Sequence, residues 1–162
     1  MPSPAPRPTS TRDPMRVWFR FARLHRRAAG AVAAELKAIG LSIPQFDLLS
    51  TLSEQEGMSQ QELAARLYVT KGNVSGLLDR MVEAGLVERR ASPDDRRSNA
   101  LHLTERGRRL AQEGIAAQRA YVERTLGTLP SADLAELERL VLLWRDRARA
   151  DEARLGAGSG TG

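Results

Sequence analysis

The stretch from Ser59 to Gly85 constrains this chain more than any other part of it. It reads as two helices joined by a short turn. Ser59-Gln60-Gln61-Glu62 has the form of a capping box, in which the serine hydroxyl and the glutamate each satisfy a free N–H at a helix start. Leu63 and Leu67 then fall on a buried face. The next helix is expected from a Thr70 cap to about Ala84, with Gly85 just past its end, where left-handed backbone favours glycine. At about 100° per residue, Val74, Leu77, Leu78, Met81 and Val82 gather in one arc. Gly72, Asn73, Gly76, Asp79, Arg80 and Glu83 face the opposite way. A glycine inside a helix costs about 1 kcal/mol relative to alanine, so two of them on an exposed face call for a reason. Close approach of the helix backbone to a large partner is one. The alternative is that Gly72 merely lies in the first turn and Gly76 packs near a neighbouring loop.

The side chains on this second helix suit DNA. Its N-terminus offers free N–H groups and the positive end of the helix dipole, a ready phosphate site. Thr70, Lys71 and Asn73 gather there, with Ser75 one turn on. Lys71 suits a phosphate and Asn73 a base edge, while Arg80 has the reach for a base or the far backbone. Ser59, Gln60 and Gln61 open the preceding helix, which in a helix-turn-helix crosses the DNA backbone. Asp79 and Glu83 repel phosphate unless they pair with Arg80 or accept from a cytosine amino group.

Beyond Gly85 the periodicity changes. Leu86–Ser92 and Ser98–Thr104 are short enough to be strands, joined by the tip Pro93-Asp-Asp-Arg-Arg97. The hairpin carries Arg89, Arg90, Arg96 and Arg97, and a positive tip beside a major-groove helix can enter the adjacent minor groove. Asp95 is spaced to brace the Arg97 guanidinium.

The remaining elements flank this core. Pro14 suits a helix start, and Val17, Phe21, Leu24, Ala28, Val32 and Leu36 repeat at helical spacing up to Gly40. Ser42-Ile-Pro-Gln45 is another capping box, opening a helix that carries Phe46, Leu49 and Leu52. Thr104 caps a long helix to about Leu126, Gly127 and Pro130 break it, and Ser131 caps a final one. The ends, 1–13 and 153–162, lack periodicity and read as flexible tails around a single domain at 14–152.

Composition excludes several classes. The chain of 162 residues has no cysteine, so disulfides and thiolate metal sites are absent. His25 and His102 stand far apart in sequence, with no ligand-spaced cluster around either. No metal or cofactor is expected. There is no nucleophile–base arrangement in context and no glycine-rich phosphate loop after a strand, so no enzyme is expected either. No apolar run approaches the length of a membrane span and no secretory leader is evident, which points to a cytoplasmic protein. The net charge of +5 is weak evidence by itself. Only Lys37 and Lys71 are lysines, and a codon bias toward arginine accounts for the total; where the arginines sit matters more.

The chain resembles the MarR family of winged helix-turn-helix regulators. The resemblance is carried by Gly40-Leu-Ser-Ile-Pro-Gln-Phe-Asp-Leu-Leu49, Leu63-Ala-Ala-Arg-Leu67 with Thr70-Lys-Gly-Asn-Val-Ser75, Leu78-Asp-Arg-Met-Val-Glu-Ala-Gly-Leu-Val87, and Ser92-Pro-Asp-Asp-Arg-Arg-Ser98 running into Leu101-His-Leu-Thr-Glu-Arg-Gly107. It implies a mostly α fold with a small β-hairpin wing: a winged helix-turn-helix at about 42–104 between dimerisation helices at about 14–39 and 104–152. It further implies a homodimer on double-stranded DNA, one winged helix per half of a pseudo-palindromic operator, with repression as the common outcome. Arg97 would be the wing arginine and Asp95 its brace. Many relatives release DNA on binding a small aromatic or anionic molecule. Here Trp18, Arg20, Arg23, His25, Arg26, Phe46 and Asp47 are the candidates for such a site, since arginine beside an aromatic ring suits an aromatic carboxylate. The competing reading is a non-specific architectural DNA-binding protein.

Overall fold

The structure, a computed structural model, describes residues 13–67, 71–91 and 99–158. In order the elements are α1 (Pro14–Ala38), α2 (Ile43–Glu54), α3 (Gln60–Arg66), α4 (Lys71–Glu83), β1 (Val87–Ala91), β2 (Asn99–Leu103), α5 (Glu105–Thr125), a 3-10 turn (Leu126–Thr128) and α6 (Ser131–Gly158). The chain divides into two compact units, Met1–Arg119 and Ala120–Gly162, each described by itself.

The first unit is built from the punctuation that the sequence shows. Both capping boxes are formed: the Gln45 side chain accepts from the Ser42 N–H at 2.9 Å, and Glu62 accepts from the Ser59 N–H at 2.7 Å. Hydrogen bonds from the Ser59 backbone and hydroxyl hold the Glu62 carboxyl below its ordinary pKa. Gly40, Gly57 and Gly85 have φ of 78°, 82° and 66°. Gly85 therefore ends α4 in the left-handed conformation that the sequence predicts. The two strands fall inside their expected stretches and pair antiparallel from Val87↔Leu103 to Ala91↔Asn99. On the other side β2 meets the segment before α3: the Gly57 N–H donates to the Leu101 carbonyl at 2.8 Å, and the Leu101 N–H to that of Met58 at 2.9 Å.

Leu48, Leu49 and Leu52 of α2, Leu63 of α3, Leu78 and Met81 of α4, and Leu101 of β2 are all but fully buried and form one aliphatic core. Phe46 belongs to it too, at 3% exposure. Helix α5 closes the core through two close approaches. A Cβ on Gly107 would lie 1.9 Å from the Leu86 carbonyl oxygen, and one on Gly114 would lie 2.6 Å from the Phe46 ring. Thr104 accepts from the Gly107 N–H at 3.0 Å, confirming it as the cap of α5, and donates its own hydroxyl to Gly85 O at 2.8 Å. Glu56 ties the same region together, contacting His102 Nδ1 at 3.1 Å and the Arg108 guanidinium. Burial raises the Glu56 pKa, but hydrogen bonds and charge from Arg108 and His102 outweigh it and the carboxyl sits below its ordinary range.

Along α1 the apolar repeat is buried only at its end, at Leu36, whereas Met15, Phe19 and Leu24 are more than half exposed. In the second unit, Ser131 is the first residue of α6 rather than its cap, and the helix runs past Ala153 to Gly158. Its five consecutive apolar residues Leu140–Trp144 are all exposed in the single chain. No helix among the described residues is long and apolar enough to cross a membrane. The expected tail at 1–12 and the last four residues, 159–162, lie outside the described residues.

The Gly107 contact yields a direct test. Gly107→Ala should lower stability by about 1–3 kcal/mol or more, since the added methyl meets backbone that cannot rotate away. Thermal unfolding of the two proteins at one concentration measures it.

Candidate nucleic-acid interface

Helices α3 and α4 pack together, with Leu63, Ala64, Val74 and Leu78 buried and the opposite side of α4 left to solvent. Gly72, Asn73, Gly76, Asp79, Arg80 and Glu83 are exposed, and Ser75 is half-buried beside them. The two glycines have no packing role within the described chain. A Cβ on Gly72 would meet nothing within 4 Å, and one on Gly76 only the mobile end of Arg80 at 3.8 Å. Among the described residues the neighbouring-loop explanation for Gly76 finds no neighbour. What remains is a helix face on which the backbone itself is accessible. Ser59 and Gln60 at the start of α3 are half-buried and Gln61 is exposed.

The charges beside this face are paired across elements. Arg89 of β1 reaches α4 and donates from Nη2 to Asp79 Oδ1 at 2.6 Å. The sequence offers Asp79 either Arg80 or a cytosine amino group as partner; in the structure Arg89 of β1, a strand in contact with α4, takes it. Arg90 donates from Nε to Glu88 at 2.9 Å on its own strand. Thr70 and the tip residues Asp95, Arg96 and Arg97 lie outside the described residues, as does the side chain of Lys71.

Of the residues read from the sequence as a ligand site, five lie on α1 and Phe46 and Asp47 on α2. Phe46 is buried in the core, its ring beside Gly114 of α5. The amphipathic spacing of α2 fits either role, and only the approach of α5 decides between them. On α1, Arg20, Arg23, His25 and Arg26 are exposed. Trp18 and Phe21 stand 6.5 Å apart between ring centroids, and Phe21 stacks on His25 at 6.3 Å. Asp47 lies elsewhere, in a cleft of about 310 Å³ lined by Pro44, Leu67, Asn73, Val74, Leu77 and Arg80. Although the residue as a whole is exposed, partial desolvation of its carboxyl raises its pKa. The structure therefore brings Asp47 beside Asn73 and Arg80 of α4. No cluster of three or more potential metal ligands occurs among the described residues.

Known proteins are similar to this chain in sequence and in fold. A model of the MarR family matches residues 39–98. The HTH-type transcriptional repressor Rv2887 of Mycobacterium tuberculosis is 37% identical over 110 residues, spanning 68% of this chain and 79% of its own. CouR from Rhodococcus jostii RHA1, solved with p-coumaroyl-CoA, superimposes with a TM-score of 0.69 at 30% identity over 77% of this chain and 88% of CouR. CouR bound to a 23-mer DNA duplex gives 0.68 at 27% identity, over 80% and 90%. AbsC, a MarR family transcriptional regulator from Streptomyces coelicolor, gives 0.76 at 26% identity over 90% of this chain and 99% of its own.

The open face of α4 predicts opposite effects on stability and on binding. Gly76→Ala should stabilise the fold by about 0.5–1 kcal/mol through helix propensity. A bulkier Gly76→Leu should leave the fold intact yet weaken DNA binding by at least about tenfold, equivalent to ~1.4 kcal/mol. Thermal melts alongside duplex titrations check both.

Proposed function

The chain belongs to the MarR family of transcription regulators, which are not enzymes, and from that premise we propose that it acts as a homodimeric, sequence-specific repressor on a pseudo-palindromic operator. The observation that carries this reading is the solvent-facing side of α4, where Gly72 and Gly76 leave the helix backbone open and Asn73 and Arg80 flank it. Such a face can seat in a major groove closely enough for short side chains to reach base edges. Asn73 and Arg80 read bases, Lys71 and Thr70 hold a phosphate at the helix start, and Ser59, Gln60 and Gln61 meet the backbone from α3. Arg97, braced by Asp95 and accompanied by Arg90 and Arg96, enters the adjacent minor groove. The duplex bound to CouR and the repressor name of Rv2887 support this reading.

The second copy is called for by surface chemistry. Met15, Phe19 and Leu24 on α1, and Leu140 and Leu143 on α6, are large apolar groups at 40% exposure or more. Each of the two helices is amphipathic, and its large exposed apolar groups stand among charged ones; exposed apolar surface of this kind marks an interface. In a two-fold dimer the two copies of α4 present half-sites about one helical turn, roughly 10 bp, apart.

A small aromatic or anionic effector releases the DNA. CouR's p-coumaroyl-CoA, at once aromatic and anionic, supports this part. Trp18, Arg20, Arg23, His25, Arg26 and Asp47 remain its candidate contacts, without the buried Phe46.

Selection of bound sequences from random duplexes tests the reading. It should recover a pseudo-palindrome, bound at least about 10³ more tightly than random DNA. Arg97→Ala should weaken operator binding by tenfold or more, about 1–3 kcal/mol, without dissociating the dimer. A salt-sensitive affinity equal for all duplexes would instead identify an architectural protein.

A further inference from the structure

We propose that Asp79 is a specificity-setting residue of this interface, acting by holding Arg89 against α4 so that its charge is not offered to DNA of any sequence. The inference rests on the DNA-reading role of α4 proposed above. On the helix wheel Gly72, Gly76, Asp79 and Glu83 share one narrow arc. Two carboxylates therefore stand in the middle of the face that the glycines open, where they oppose the approach of phosphate. The fold does not require the Asp79–Arg89 pair. Its side chains are 59% and 32% exposed, and an ion pair of that kind contributes little to stability. It needs an explanation on the binding side.

The explanation lies in how the charges are distributed. Lys71 and Arg80 of α4 are matched in number by Asp79 and Glu83 of the same helix. Of the hairpin cations among the described residues, Arg89 is paired with Asp79 and Arg90 with Glu88. Arg89 follows Val87 on the same side of β1, the side turned toward the core and α4, so its side chain emerges along the reading helix. Freed from Asp79, a guanidinium there would reach phosphates on either flank of the groove. Each phosphate it neutralised would release counterions irrespective of sequence. Paired, it adds almost nothing to random binding, and base contacts from Asn73 and Arg80 decide the affinity. Asp79 is thus a positioning residue acting through Arg89.

The test uses the full chain, the selected operator and a scrambled duplex of equal length, titrated at two salt concentrations. Asp79→Asn keeps the shape and removes the charge. It should bind the scrambled duplex at least fivefold more tightly at low salt, with a salt slope steeper by about 0.9, the value for one additional phosphate contact. Operator affinity should rise less, so the operator-to-scrambled ratio falls by about fivefold or more. In an Arg89→Gln background the same Asp79 substitution should change the ratio by less than about twofold, since distant or unlinked effects add and linked ones do not. A ratio unchanged in Asp79→Asn overturns the proposal, as does an equal fall when Arg89 is already Gln. Parallel loss of both affinities with a lowered Tm also overturns it, by making the pair a structural brace. A wild-type chain with no operator preference overturns the underlying DNA-reading role itself, a result distinct from a wild-type preference that Asp79→Asn leaves untouched.

Discussion

The Leu86 carbonyl is the point at which α4, the hairpin and α5 are joined. It accepts from the Thr104 N–H at 3.1 Å, and the α5 backbone at Gly107 passes so close that only a hydrogen fits in place of a side chain. Around it, Thr104 donates to Gly85 and Arg106 donates to the Ala84 carbonyl at 3.0 Å. The last carbonyls of α4 are taken up locally, Arg80, Met81 and Val82 accepting from the N–H groups of Ala84, Leu86 and Gly85, and the bonds from Thr104 and Arg106 satisfy the carbonyls just beyond the helix. The same contacts fix where α5 begins. The end of the proposed recognition helix is therefore fastened to the start of α5, with the hairpin closed between them. A shift of α5 at this junction has to be passed to α4, because interpenetrating backbone leaves no slack.

Much of this fold can be read from local signals. The serine boxes at Ser42 and Ser59, the stop at Gly85, the Thr104 cap and the alternation in the hairpin are each decided within a few residues, and the structure contains them all. Contacts between distant segments were not legible in the same way. Gly107 and Gly114 sit in a helical pattern like any tolerated glycine, and nothing local reveals that Leu86 and Phe46 will press on them. Asp79 and Arg89 lie ten residues apart on different elements, so no helical or strand periodicity joins them. Phe46 fits two readings in the sequence, a core position of α2 and an aromatic contact for a ligand beside the α1 arginines, and only the approach of α5 at Gly114 shows that the ring is buried.

The candidate site was legible to a similar depth. Which face of α4 is open followed from its spacing, and the empty surroundings of Gly72 and Gly76 agree with it. That Asp47 would stand beside Asn73 and Arg80 in one cleft did not follow, since it depends on how α2 crosses the helix pair. Charge was the least legible part. A count of arginines points to a strongly cationic surface, whereas the described hairpin arginines are each matched by a carboxylate. Affinity on such a surface has to come from fit in the groove and from the wing, more than from charge alone.

The regulator proposed above is a paired reader, in which apolar faces of α1 and α6 join two chains so that two α4 helices meet one duplex. Sedimentation of the full chain, alone and with one equivalent of operator-length duplex, reads the stoichiometry. Pairing requires the mass of two chains in free solution at micromolar concentration, and two chains on each duplex. A monomer that loads singly onto operator DNA would contradict it.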